Sequence, residues 1–63
     1  MQERILRHIR EAIADRGEAP TLQEIGTAVG LSSRSTVHYH LRELEAKGAI
    51  VRDRRRTRGI RLV

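Results

Sequence analysis

Sixty-three residues leave room for one small domain with a modest core, and the absence of cysteine excludes both a disulfide framework and a thiolate metal site. The formal charge of +5 is uneven: residues 1–51 balance seven basic against seven acidic side chains, whereas residues 52–63 set six arginines against Asp53 alone. Charge concentrated in this way points to a polyanionic partner, with a solvated basic tail as the plain alternative.

In chain order, "QERILRHIREAIADRG" has the pattern of an amphipathic helix over residues 2–16. Ile5, Ile9 and Ile13 recur every four residues, Leu6 and Ala12 widen the stripe, and Gly17 is the stop signal. "TLQE" has the form of a capping box, a threonine N-cap with glutamate three residues on. It starts a second helix over 22–29 that offers Leu22, Ile25, Ala28 and Val29 to the core and ends at Gly30. Ser33 is the expected N-cap of a third helix over 34–47, with Gly48 as its stop. "AIVRD" (49–53) and "GIRLV" (59–63) read as short strands separated by "RRRTR". A hairpin of that size is marginal alone, so Ile50, Ile60 and Leu62 are expected to pack on the helices. Three helices followed by a β-hairpin is the outline of a mostly α, winged helix-turn-helix fold, here a single domain over residues 1–63.

The third helix, "RSTVHYHLRELEAK", carries the chemistry. At about 100° per residue, Val37, Leu41 and Leu44 cluster within roughly 60° of one another and define a buried stripe. Ser35, Tyr39, Arg42 and Ala46 lie opposite and face outwards, with Thr36 and His38 on the two flanks. His40 falls near the apolar stripe, which predicts a partly buried ring hydrogen-bonded to a neighbour. A metal site on "HYH" fails on geometry, because residues two apart on a helix diverge by about 160°. Nucleophilic catalysis has little support: no feature ties a serine to a base, and the chain offers little material for a substrate pocket. No cofactor is implied.

Double-stranded DNA uses these residues more fully. A recognition helix reads base edges mainly from its N-terminal turns, where Arg34, Ser35, His38 and Tyr39 fall. Arginine grips guanine bidentately, and serine, threonine and histidine supply further hydrogen bonds. Amides at the N-termini of the second and third helices suit phosphate, and the hairpin arginines add salt-dependent attraction. The alternative is a winged-helix protein-interaction or dimerisation module, but the outer face of the third helix offers only Tyr39 and Ala46 as apolar surface. RNA binding is disfavoured by the single aromatic residue, which gives little for stacking unpaired bases. No apolar run approaches membrane-span length and no signal peptide precedes the first charges, so a cytoplasmic protein without membrane contact is expected.

The sequence also resembles the N-terminal DNA-binding domain of the LexA repressor family. "APTLQEIG" is similar to that family's P-T/S-x-x-E-I segment, from Pro20 to Ile25. "GLSSRSTVHYHLRELEAKGAIVRD" resembles its G-[FL]-x-S turn, its H-L-x-x-L helix core and its K-G-x-I strand entry, and "RTRGIRLV" its closing R-G/A-I-x-L strand. The resemblance implies base-reading positions at Ser33, Ser35, Thr36, His38 and Tyr39, and backbone contacts from the wing at Arg54, Arg55, Arg56, Thr57 and Arg58. "SSxSTVHxHL" is more similar to the Gram-positive and actinobacterial branch than to the enterobacterial one, which implies a GAAC-type palindrome over a CTGT-type one.

Two departures stand out. The family's usual L-T-x-R-Q lead-in is missing, so the first helix is expected to begin frayed. The chain also stops where the family continues into its self-cleaving domain, with the Ala-Gly cleavage site, the Ser-Lys dyad and the dimer interface. The resemblance therefore implies an operator-reading module of an SOS-response repressor, in the bacterial cytoplasm at the nucleoid. It implies no enzymatic activity for this chain, a monomer off DNA, and two copies on a palindromic operator.

Overall fold

The computed structural model describes residues 1–63, and its elements follow from the punctuation of the sequence. Helix α1 (Gln2–Arg16) ends at Gly17, whose left-handed conformation (φ 73°) lets its N–H donate to the Ile13 carbonyl at 2.8 Å. Helix α2 (Leu22–Val29) opens with the complete capping box. Glu24 N–H donates to Thr21 Oγ1 (3.1 Å) while Thr21 N–H donates to Glu24 Oε1 (2.9 Å), so two otherwise orphaned amides are satisfied. Helix α3 (Arg34–Ala46) ends one residue earlier than the pattern predicts. Gly48, in the left-handed region, donates to the Glu45 carbonyl and Ala49 to the Leu44 carbonyl, both at 3.0 Å. That paired closure is the Schellman arrangement.

Strands β1 (Ile50–Arg52) and β2 (Ile60–Leu62) pair antiparallel with Ile50 opposite Leu62, Val51 opposite Arg61 and Arg52 opposite Ile60. Each is one residue shorter at either end than expected, but hydrogen bonds from Val63 N–H to the Ala49 carbonyl (3.4 Å) and from Asp53 N–H to the Gly59 carbonyl (2.6 Å) prolong the ladder both ways. Gly59 is required by close approach: a Cβ there would collide with the Asp53 carbonyl.

The core is one cluster. Ile5 and Ile9 of α1, Ile25 and Val29 of α2, Val37, Leu41 and Leu44 of α3, and Ile50 and Ile60 of the hairpin meet there, with Ala19 plugging the α1–α2 turn. The three helices pack pairwise on one another, and the hairpin docks chiefly through β1 against α3. The structure is thus a three-helix winged helix-turn-helix.

Two expected core residues are exposed instead. Ala28 is exposed, because the apolar stripe of α2 is centred on Leu22 and Val29 and its other edge is Gly26. Gly26 is buried where α2 meets the turn into α3: a Cβ would stand 3.0 Å from the Leu31 carbonyl oxygen and 3.5 Å from Val37 Cγ2. Leu62 is exposed too. It pairs with Ile50 at the open end of the hairpin and edges a shallow groove beside Ile13, Gly17 and Ala19. The start of α1 has no side-chain cap, but Lys47 Nζ donates to Gln2 Oε1 at 2.7 Å and ties it to the end of α3.

Replacing the fully buried Leu41 with alanine is expected to cost about 2–5 kcal/mol, whereas Ser35→Ala on the exposed face of the same helix stays within about 0.5 kcal/mol. Thermal melts followed by circular dichroism check the pair. Near-equal effects would mean that α3 is rotated about its axis relative to this description.

Candidate nucleic-acid interface

The buried stripe of α3 fixes what its other sides present. With Val37, Leu41 and Leu44 inside, Ser35, Tyr39, Arg42 and Ala46 are exposed, and Thr36 and His38 are half-buried on the flanks. Ser33 is the N-cap by position only: its carbonyl accepts from Val37 N–H at 3.3 Å, while its hydroxyl makes no capping bond and stays at the surface. The first turn of α3 contains no acidic residue, so its positive dipole end is not neutralised locally.

Beside this face a cleft of about 470 Å³ separates α3 from the hairpin. Arg34 and His38 line it from α3, and Arg54, Arg56 and Thr57 from the wing, so five of the residues expected to touch DNA meet in one place. Thr21 and Gln23 at the start of α2 and Arg52 of β1 also line it, with Asp53 the only acidic residue in the lining. Ser33 lies instead with Arg34 in a neighbouring shallow groove along α2. Ser35, Thr36, Tyr39, Arg42, Arg55 and Arg58 do not line the cleft.

Arg52 and the side chains of Thr21 and Gln23 are not among the contacts the sequence predicts, which at the start of α2 are the backbone amides alone. For Arg52 the signal was present: it lies two residues from the buried Ile50, and strand alternation turns it to the helix side of the hairpin. Partial burial lowers its pKa from the ordinary arginine value, helped by the neighbouring Arg54 charge.

The wing arginines are not equivalent. Arg58 forks onto Glu24, Nη1 donating to Oε1 at 2.8 Å and Nη2 to Oε2 at 3.0 Å. Its Nη1 also donates to the Ala19 carbonyl at 2.9 Å, and Nε lies 3.4 Å from Glu18 Oε2. Arg54 reaches the last turns of α3, donating through Nη2 to Glu45 Oε1 at 2.8 Å. Asp53 folds the tip: its Oδ1 accepts from the backbone N–H of Arg55 (3.1 Å) and from Arg55 Nε (3.2 Å), and Oδ2 lies 3.7 Å from Arg56 Nε. Arg55 and Arg56 nevertheless remain the most exposed of the paired arginines, 91% and 79% accessible.

These contacts depress three carboxylates. Hydrogen bonds from Arg58, then from the Thr21 backbone, take Glu24 from the ordinary 4.5 to about 2. Glu45 is lowered chiefly by the hydrogen bonds from Arg54, and Asp53 by the backbone amide of Arg55.

His38 and His40 diverge as the helical spacing requires, and no group of three His, Asp or Glu side chains is placed to hold a metal ion. The expected hydrogen bond of His40 is not made. Its buried Nδ1 has no partner, and the ring instead meets Tyr39 edge-on at 5.3 Å. The apolar stripe beside it offers that nitrogen no acceptor or donor. No helix is long and apolar enough to cross a membrane.

A helix-turn-helix whose outward helix stands beside an arginine-bearing hairpin defines a DNA-binding module of the winged class. The comparisons with known proteins name the particular group: the chain belongs to the LexA DNA binding domain family, matched over residues 1–59. It is 50% identical over 62 residues to the LexA repressor of Brevibacillus brevis, an alignment covering 98% of this chain and 30% of that protein. The LexA repressor of Ligilactobacillus salivarius is 52% identical over 61 residues, covering 97% of this chain and 30% of the relative. That of Nocardioides sp. is 48% identical over 59 residues, covering 94% and 24%. The chain thus spans about 30% or less of the length of these curated relatives.

The lowered pKa of Glu24 sets a pH dependence. A carboxylate whose folded pKa lies below its unfolded value stabilises the fold above about 4.5, and that contribution is lost as pH falls towards about 2. The thermal midpoint of the wild type is expected to fall more steeply between pH 4.5 and 2 than that of Glu24→Gln. The variant should keep a residual slope, since Glu45 and Asp53 are lowered as well. Parallel Tm–pH curves would contradict the assignment.

Proposed function

We propose that this chain is the operator-reading part of a LexA-type SOS-response transcriptional repressor, binding double-stranded DNA sequence-specifically with α3 in the major groove. The observation that carries the reading is the juxtaposition in one cleft of the polar N-terminal turns of α3 and the arginines of the wing. Membership of the LexA DNA binding domain family and the name LexA repressor borne by its relatives support it. Ser33, Arg34, Ser35, Thr36, His38, Tyr39 and Arg42 address the groove. Base edges are read from the first turns, where a good bidentate contact is worth about 1–3 kcal/mol of discrimination. Arg55, Arg56 and Thr57 at the wing tip address phosphates.

Repression on this reading is occupancy: a domain seated on an operator blocks polymerase, and no reaction is assigned to residues 1–63. One such module makes few contacts, so full-strength binding takes two copies on a palindrome, GAAC-type by the helix sequence. The domain is a monomer off DNA and works in the bacterial cytoplasm, on the nucleoid. A protein-interaction module is not favoured, because Tyr39 is the only large apolar side chain exposed on α3.

Binding to a GAAC-type palindromic duplex beside a scrambled duplex of equal composition, across a salt series, tests the reading. Preference for the palindrome should survive as salt rises, and per-site affinity should be higher on the full site than on an isolated half-site. Equal binding that collapses with salt would leave only charge attraction and remove the operator assignment. The double variant Arg55→Ala/Arg56→Ala is expected to weaken binding alike on both duplexes and to flatten the salt slope by about 0.9 per lost contact. A loss confined to the palindrome would mean that these arginines read bases.

A further inference from the structure

The hairpin is held unevenly. Its first strand packs on α3, whereas the return limb, residues 58–62, meets the helices mainly through the buried Ile60 and the exposed side chain Arg58. Arg58 spans 34 residues of sequence to reach Glu24 with both guanidinium nitrogens and takes the Ala19 carbonyl as a third acceptor. Glu24 is at the same time the N3 residue of the α2 capping box, its Oε1 accepting from Thr21 N–H. One carboxylate therefore fixes both the start of α2 and the return limb of the wing. The fork also occupies most of the donors that a bidentate phosphate contact needs: both Nη1 hydrogens and one of the two on Nη2 are bonded, Nε faces Glu18, and one Nη2 N–H is left over.

We infer that Arg58 is a positioning residue rather than a phosphate contact, and that its fork on Glu24 sets where the wing tip stands relative to α3. The inference rests on the DNA-binding reading and divides the wing by task. Arg55 and Arg56 at the tip meet the backbone of DNA, and Arg58, with Arg54 on Glu45 as a second strut, holds the tip in place.

Charge gives the two roles opposite signs. Glu24→Gln raises the net charge from +5 to +6 and frees Arg58, while glutamine still serves the capping box. If Arg58 were a phosphate contact waiting to be released, the variant would bind DNA more tightly. As a latch, losing the charged fork loosens the wing and weakens binding despite the added charge. Arg58→Lys is the second variant: lysine keeps the charge a phosphate sees but cannot make a planar fork on carboxylate and carbonyl together.

The decisive experiment measures wild type, Glu24→Gln and Arg58→Lys on the GAAC-type palindromic duplex across a salt series, with amide hydrogen exchange of each free domain. Expected are losses of affinity of roughly two- to fivefold, the scale of a partly exposed ion pair, for both variants. Their salt slopes should equal that of the wild type, and exchange should be faster at residues 53–60 with α1 and α3 unchanged. Tighter binding by Glu24→Gln, wild-type affinity in Arg58→Lys, or unchanged exchange in the wing would overturn the inference. If the wild type fails to prefer the palindrome, the functional reading falls, and the exchange measurement on the free domain still decides whether the latch holds the wing.

Discussion

Burial of Val37, Leu41 and Leu44 fixes the rotation of α3 about its own axis, and most of what the domain can do depends on that rotation. A helix turned by one residue presents a different set of side chains, and at this chain length no second layer exists to correct it. The stripe seats against Ile25 and Val29 of α2 and Ile5 and Ile9 of α1, and Gly26 lets the α2–α3 turn approach as closely as that seating requires. Once the stripe is inside, Ser35 and Tyr39 face outwards, and Arg34 and His38 look across the cleft to the wing. The polar surface is thus a consequence of the apolar packing.

The same packing redistributes the charge. Along the chain, the six arginines after position 51 look like one basic block. In three dimensions Glu45, Glu24 and Glu18, all from the electrically balanced part of the chain, come back to meet Arg54 and Arg58. Those pairs are exposed, and their contribution to global stability is small. Their effect is geometric: the wing is tied to both helices of the helix-turn-helix, Arg52 and Arg34 are left in the cleft, and Arg55 and Arg56, which share Asp53 alone, stand exposed at the tip. A linear count of charge gives the sign of the partner but not which side chains meet it.

What the sequence made legible were features that need only local information. Isoleucines every four residues, the "TLQE" capping box and glycines at 17, 30 and 48 mark the helices to within a residue of their observed ends. What escaped depends on how elements meet. Ala28 and Gly26 flank the same stripe, and only the close approach of the Leu31 carbonyl decides that the glycine goes inside. Leu62 alternates correctly yet stays at the edge of an open groove beside Ile13, Gly17 and Ala19 instead of entering the core. Thr21 and Gln23 join the cleft because the wing folds back over the start of α2, and no periodicity announces that. The five wing positions from 54 to 58 resemble those of the family as a run, whereas their individual partners separate struts from tip.

The proposed function requires one contiguous DNA surface built from the first turns of α3 and the tip of the wing. Amide chemical-shift changes on titrating the labelled domain with the palindromic duplex test this most directly. The largest changes are expected at residues 33–39 and 54–57, with the outer side of α1 silent. Changes concentrated on α1, or confined to the wing with α3 unmoved, would contradict it.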